Sequence, residues 1–475
     1  MFKNHHEVIK FCKENEIEFI DFKLLDLAGR WHHLTITPRR FNEETIEHGI
    51  GFDGSSYGFL SVEKSDMVFK PDLNAYFIDP FNEAKTLVFM TRIYKVGEKH
   101  TRFESDPRFI CEKVEDYMKT AGFANKALLG PEFEYYTFDS CHYRLDPQAS
   151  SFAIDTVQAG WNSAKPENNN GYLVHHKGGY HVDRPKDINF DMRNDMVKIL
   201  ESIGVPVKYH HPEVGGPGQQ EIELDFESPI IMGDRSMMVK YVVKNTATLY
   251  NRTATFMPKP IFGEAGSGMH VHMQLFNDET PLFYEKGGYS DLSKMGLYAI
   301  GGILKHSASV MAFTNPSTNS YKRLVPGYEA PVSICFGTAN RSSVIRIPGY
   351  ATQPTKKRFE FRPADATSNP YLAFAALMMA MFDGIKNKID PIESKYGPYD
   401  VNIFKLSNDE RKQIGALPKD LTEVIAALES DFEYLLEGDV FTQAILNDQI
   451  EYLKKEYAAE SVMPTPREYK MYYDL

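Results

Sequence analysis

Through much of the first hundred positions, apolar and polar residues alternate with a period of two. This is the repeat expected when successive side chains point to opposite faces of a strand. Residues 17–24 follow it, the turn signal Ala28-Gly29-Arg30 comes next, and residues 31–37 and 86–94 supply two more strand candidates. The period then lengthens. Ser105-Asp106-Pro107-Arg108 opens a helical pattern carried by Phe109, Val114 and Met118 toward Gly122. Ser105 or Asp106 serves as the N-cap, and Pro107 takes the first helical position, where its missing N–H costs nothing. The change of period predicts a boundary near residue 104, with domains of 1–104 and 105–475. Beyond it short strands alternate with helices, and Asn369-Pro370 starts an apolar helix toward Gly384.

Four strand-like segments carry unusual polar faces. Glu132 and Glu134 share one face, with Phe133 and Tyr135 on the other; Glu221, Glu223 and Asp225 repeat the arrangement. His270 and His272 form a third such pair, and Arg358, Glu360 and Arg362 the fourth row. Any one of these reads as the solvated face of an antiparallel sheet. Together they do not, because solvent faces mix Lys, Thr, Ser and Gln, whereas these are nearly pure carboxylate, imidazole or guanidinium. Like charges two residues apart repel unless a cation lies between them. Oxygen ligands with an imidazole suit Mg²⁺ or Mn²⁺ better than structural Zn²⁺, and the candidates are too many for one Mg²⁺. At least two ions are expected. Cations beside arginines point to phosphoryl chemistry.

The basic residues lie in two further segments. Residues 319–331 form a Pro/Gly-punctuated stretch bearing Lys322, Arg323 and Glu329, and residues 340–348 carry Arg341 and Arg346. Arginine grips carboxylate or phosphate with two parallel hydrogen bonds; Lys322 alone reads as a surface ion pair. The charge balance limits the partners: 53 Lys+Arg against 65 Asp+Glu gives −12, which argues against binding nucleic acid or anionic membrane by bulk charge. Cys12, Cys111, Cys141 and Cys335 are scattered, as in a reduced, cytoplasmic protein. The longest apolar stretch, residues 371–382, is too short to span a bilayer. No phosphate-loop motif occurs. Gly54-Ser55-Ser56-Tyr57-Gly58 matches the nucleophile-elbow pattern but lacks the strand and helix around it.

These residues, with Phe52-Asp53-Gly54-Ser55-Ser56, His211-Pro212-Glu213-Val214 and Gly266-Ser267-Gly268-Met269-His270-Val271-His272, closely resemble the type I glutamine synthetases. The matching stretches run from residue 50 to Met471-Tyr472-Tyr473. The resemblance implies an α+β fold: a small N-terminal β-grasp domain and a larger catalytic domain whose antiparallel sheet lines a bi-metal site. It implies ATP-dependent ligation of ammonia to L-glutamate through γ-glutamyl phosphate, in a homo-oligomer of two stacked hexameric rings (a dodecamer) with active sites shared between subunits. Glu134, Glu213 and Glu221 would hold one metal, and Glu132, His270 and Glu360 the other. The strand alternation reaches all of these except Glu213, which comes from the resemblance alone. Gly266, Arg323, Glu329, Arg341 and Arg362 would bind glutamate. Phe226, His272, Arg341, Arg346 and Arg358 would bind ATP. Asp53 of the adjacent subunit would take a proton from ammonium, Arg341 would neutralise the phosphoryl group, and Glu329 would close a flap over the intermediate.

Three positions depart from the family pattern: Ala265 where Asn is usual, Lys208 where Glu is usual near the nucleotide, and Phe404 where an adenylylated Tyr is usual. Two alternatives remain open to the sequence. A two-metal phosphohydrolase would need neither a flap acid nor an ammonium site. A non-catalytic assembly relative would be expected to have lost metal ligands.

Overall fold

Two sheets organise the chain. The structure, a computed structural model, describes residues 1–97, 99–167, 169–325 and 330–475, without the Asn408 side chain. The first sheet comprises β1 (Phe19–Leu25), β2 (Trp31–Ile36), β3 (Ile50–Asp53), β4 (Asp66–Ile78), β5 (Thr86–Lys95) and β6 (Thr101–Arg102). Its order is β2-β1-β5-β4-β3, with β6 beside β5; β1 and β5 run parallel and the other pairs antiparallel. Ile20, Phe22, Leu24, Phe69, Leu87 and Phe89 bury one face of this sheet together with Val8 and Cys12 of the helix His5–Glu14. That helix is absent from the alternation reading. Its polar sequence buries only two residues, four apart, and its start is set by the Asn4 side chain accepting from the Glu7 N–H. The 13-residue β4 also escaped the reading, because its pairing with β5 shifts register between Pro71 and Tyr76.

At the change of period, Asp106 is the cap. Its side chain accepts from the Arg108 N–H at 3.1 Å, Pro107 sits in the first turn, and the helix Pro107–Thr120 ends just before Gly122 at φ +74°. Arg108 on this helix is buried and bridges Asp72 of β4 to Asp234 of the helix Pro229–Leu249, with both ion pairs at 2.8 Å. Breaking such a buried bridge is costly, so it fixes the first sheet against the helix Pro229–Leu249.

The second sheet has nine strands: β7 (Lys126–Phe138), β10 (Val207–Pro212), β11 (Gln219–Leu224), β12 (Thr253–Thr255), β13 (Met269–Asn277), β14 (Thr280–Pro281), β15 (Ser333–Thr338), β16 (Ser343–Ile347) and β17 (Phe359–Phe361). The strands β8 (Ser140–Asp146) and β9 (Ala149–Asp155) form a separate hairpin. The main path is β10-β11-β7-β13-β17-β16-β15. Its pairs are antiparallel except β15 with β16, a parallel edge that the expected antiparallel sheet did not include. Phe133, Tyr135, Ile222, Leu224, Met269, Val271, Phe359 and Phe361 are buried on one face, in one core with residues of the helices Pro229–Leu249, Lys294–Lys305 and Pro370–Asn387. Full burial of such a side chain stabilises by about 1.5–3 kcal/mol, which holds the alternation in register and fixes the other face. On that face lie the carboxylates. Among the described residues, no helix is long and apolar enough to cross a membrane.

Candidate active site

Strand register assembles the polar row. β11 sets Glu221 opposite Glu134 and Glu223 opposite Glu132 on β7. On the other side of β7, His270 of β13 lies opposite Glu132, and His272 lies opposite Glu360 of β17, which in turn faces Arg346 of β16. Ligand atoms of Glu132, His270 and Glu360 lie within 4.8 Å of one another, and those of Glu134, Glu213 and Glu221 form a second such group. Glu213, which alternation could not reach, sits in the connection between β10 and β11, its N–H donating to the Gln219 carbonyl at 3.0 Å. Asp225 falls past the end of β11, is exposed, and does not join the row.

The electrostatics divide the carboxylates. Burial and the neighbouring Glu134 and Glu221 push Glu213 up to about 9. Burial, Glu132 and Glu134 raise Glu221 well above the usual range. Burial works against ionisation of Glu132 as well, but His272 and His270 hold it well below that range. Their ring nitrogens lie 2.9 Å from its two oxygens. Glu360 is fully buried; Arg362 and Arg346 outweigh its burial and hold it at about 2, each at 2.5 Å. Among the described residues, the Glu134–Glu213–Glu221 group has no arginine bonded to it and only more distant imidazoles, His211 3.4 Å from Glu221 and His270 3.8 Å from Glu134. A divalent ion would supply the missing charge, and the oxygens of the group fit Mg²⁺ or Mn²⁺.

Anion donors converge on the same face. Among the described residues, Arg346 Nε and Arg362 Nε are buried without a hydrogen-bond partner, the condition an anionic group would relieve. Arg323, also buried, donates to the Pro363 carbonyl at 2.7 Å and the Arg362 carbonyl at 3.2 Å. Gly268 has no room for a Cβ beside that guanidinium, and its N–H donates to Glu134 at 2.7 Å. Glu134, Glu213, Gly266, His270, Arg323, Arg341 and Arg362 line one cavity. Beside it, the Phe226 ring packs against Gly130, where a Cβ would lie 2.8 Å from the ring. Arg358 covers Phe226 at 5.5 Å and donates to His272 Nδ1 at 3.3 Å. The expected metal, glutamate and nucleotide residues among those described are thus grouped, Asp53 excepted.

Asp53 ends β3, on the edge of the first sheet, and accepts from Ser55 and Ser56. Those serine hydroxyls, with Ser65, hold its carboxyl well below the usual range. Ser56 therefore donates to a carboxylate, an arrangement unlike a nucleophile elbow. Glu329 lies outside the described residues. Lys322 pairs with Glu460 at 2.8 Å on the surface, as expected of it.

Sequence reasoning gave no role to two further residues. Buried Gln219 donates to the Gly266 carbonyl at 3.0 Å and accepts from the Gly215 N–H at 2.5 Å. Buried Glu264 accepts from His176 at 2.6 Å and from the Gly216 N–H at 2.8 Å. Together they fasten the glycine loop to the Glu213 connection. Their signal was their place in two glycine-rich loops, which need side chains to satisfy backbone donors. Ala265, next to Glu264, contributes its carbonyl, which accepts from Tyr136 at 2.6 Å.

Comparison with known proteins gives a concordant result. Residues 104–472 match the family model "Glutamine synthetase, catalytic domain", and residues 16–96 match "Glutamine synthetase, beta-Grasp domain". The chain is 42% identical to a glutamine synthetase of Frankia alni and 43% identical to one of Streptomyces filamentosus, with 100% of each chain covered. Its structure superimposes on that of Plasmodium falciparum glutamine synthetase with a TM-score of 0.89 at 28% identity, covering 99% of both chains.

Proposed function

The chain belongs to the glutamine synthetase family and is an ATP-dependent glutamate–ammonia ligase of type I; from that premise we propose which residues carry each step. The observation that supports the assignment is the strand register, which with the β10–β11 connection gathers two groups of side chains that could hold metal ions beside buried arginines whose Nε donors have no partner among the described residues.

Arg323 and Arg362, with the Gly266 backbone, hold glutamate and direct its γ-carboxylate toward ATP. Phe226, His272 and Arg358 hold the nucleotide, and Arg346 and Arg341 face its phosphates. Glu134, Glu213 and Glu221, and Glu132, His270 and Glu360, would hold Mg²⁺ or Mn²⁺, which would supply charge neutralisation for phosphoryl transfer. A carboxylate is a poor acyl donor. Its oxygen therefore attacks the γ-phosphorus first, the bond to ADP breaks, and Arg341 balances the charge of the transferring group. Ammonium is not a nucleophile until it loses a proton, which Asp53 accepts. Ammonia then attacks the acyl carbon, and phosphate leaves with the oxygen that began on glutamate. Glu329 and its loop exclude water from the mixed anhydride meanwhile.

We also propose that the enzyme is cytoplasmic and works as a dodecamer of two hexameric rings, with Asp53 serving a neighbouring subunit's cleft. Its exposed position on an edge strand supports this last assignment. Heavy-oxygen label in the γ-carboxylate of glutamate tests the sequence of steps. Label should appear in the released phosphate, one atom per turnover; unlabelled phosphate would exclude the acyl phosphate.

A further inference from the structure

The pairing of β10 with β11 is interrupted at one residue. It sets Tyr209 opposite Glu223 and then Val207 opposite Leu224, so Lys208 is the extra residue of a bulge. Bulges re-aim side chains. Strict alternation would send Lys208 to the side of His210, whose ring meets Arg193 of the helix Phe190–Ser202. Instead Lys208 Nζ lies 2.5 Å from Glu223 Oε1, on the face of the catalytic carboxylates.

Glu223 is fully buried, and it faces the Tyr209 hydroxyl as well as Lys208. Its ligand atom lies within 4.8 Å of those of Glu132 and His272, where the metal-ligand row meets the residues assigned to the nucleotide. The Lys208 side chain keeps 32% of its surface exposed, and its ammonium lies 4.9 Å from the Tyr209 ring. An ammonium has three N–H donors; Glu223 Oε1 takes one, which leaves donors for an anion on the open side.

We propose that Lys208 is a nucleotide-binding residue. Anchored on Glu223, it donates to a phosphate oxygen of the ATP held by Phe226, His272 and Arg358. This rests on the placement of ATP made above. A phosphate fits better than the ribose because a lysine ammonium is a point charge without the planar fork of arginine. It also fits because the anchor stands beside Glu132, one of the residues assigned above to a metal. The alternative is a pairing that only neutralises Glu223, and it makes a different prediction. Losing Lys208 would then cost stability and leave nucleotide affinity alone.

Equilibrium binding of adenosine, AMP and ADP to the oligomeric enzyme in Mg²⁺ separates the two. In Lys208→Met, ADP affinity and the KM for ATP should worsen by about tenfold or more, the scale of one charged hydrogen bond. Adenosine affinity and the KM for glutamate should stay near wild type, and Lys208→Arg should recover most of the loss. Unchanged ADP affinity, or an equal loss for adenosine, would overturn the assignment. Lys208→Met combined with Glu223→Gln leaves no unpaired buried carboxylate and provides the same comparison if the single variant folds poorly. Arg358→Ala is the control for the site itself. If it leaves ADP binding intact, the nucleotide placement is wrong; if it abolishes binding while Lys208→Met does not, only the role of Lys208 falls.

Discussion

Replacing Glu360 by Gln keeps the shape of the side chain and removes one negative charge from the centre of the catalytic sheet. Glu360 is fully buried and accepts from Arg346 and from Arg362, each at 2.5 Å. An amide has one acceptor oxygen; its NH₂ would face a guanidinium, so one arginine is left unpaired. Breaking a buried ion pair in this way costs about 3–5 kcal/mol. The sign with pH follows from the depressed folded value. The contribution of Glu360 is present above its ordinary 4.5 and is lost as pH falls toward about 2, so the full difference should be seen at neutral pH. A second loss comes from the metal. An ion held by Glu132, His270 and Glu360 stabilises by about 2.7 kcal/mol at one hundred times its Kd, and Gln forfeits most of that. Unfolding followed with and without Mg²⁺, beside an assay of glutamine formation, reads both effects. Glu360→Gln should unfold at markedly lower denaturant, gain less from Mg²⁺ than wild type, and lose turnover. Wild-type stability, an unaltered Mg²⁺ response and normal turnover would remove this strand from the site.

Inactive Asp53→Ala subunits mixed with inactive Glu329→Ala subunits should regain part of the activity, because a hybrid interface pairs two intact halves; verified hetero-oligomers without activity would contradict a shared site. Glu213 is raised to about 9 and Glu221 is raised as well, so metal binding must displace protons. Mg²⁺ affinity should therefore rise from pH 6 toward pH 9, with proton release visible by calorimetry in buffers of different ionisation enthalpy; a flat profile would refute the proton count. Phe404 has no hydroxyl, and Tyr399 lies five residues upstream. Intact-mass analysis of protein from nitrogen-replete native cells should thus show no AMP adduct, and a stoichiometric adduct at Tyr399 would overturn this.

What the sequence revealed follows from which residues owe their place to strand alternation. Glu132, Glu134, Glu221, His270 and Glu360 were legible because each shares a strand with buried apolar neighbours that hold it on one face. Glu213 follows no period, since it stands in a connection between strands, and only the family pattern located it. Gln219 and Glu264 act on backbone N–H and carbonyl groups, which a one-dimensional pattern does not display. Glu223 was visible as a carboxylate, but its partner Lys208 reaches it through a bulge, where counting by twos fails. In the first sheet, the helix His5–Glu14 and the irregular β4 were hidden for related reasons: a short amphipathic helix with two buried residues, and a strand whose register shifts. The role given to Asp53 depends on a neighbouring subunit and so lies beyond any pattern within one chain.

Cleavage of ATP at this sheet is tied to amide formation. ADP and glutamine should be quantified together in Mg²⁺ while glutamate and ammonium are omitted in turn. One glutamine should form for each ADP when both are present, with little ADP release when glutamate is left out. Steady ADP release that ignores both substrates, or no turnover with all of them supplied, would contradict this coupling.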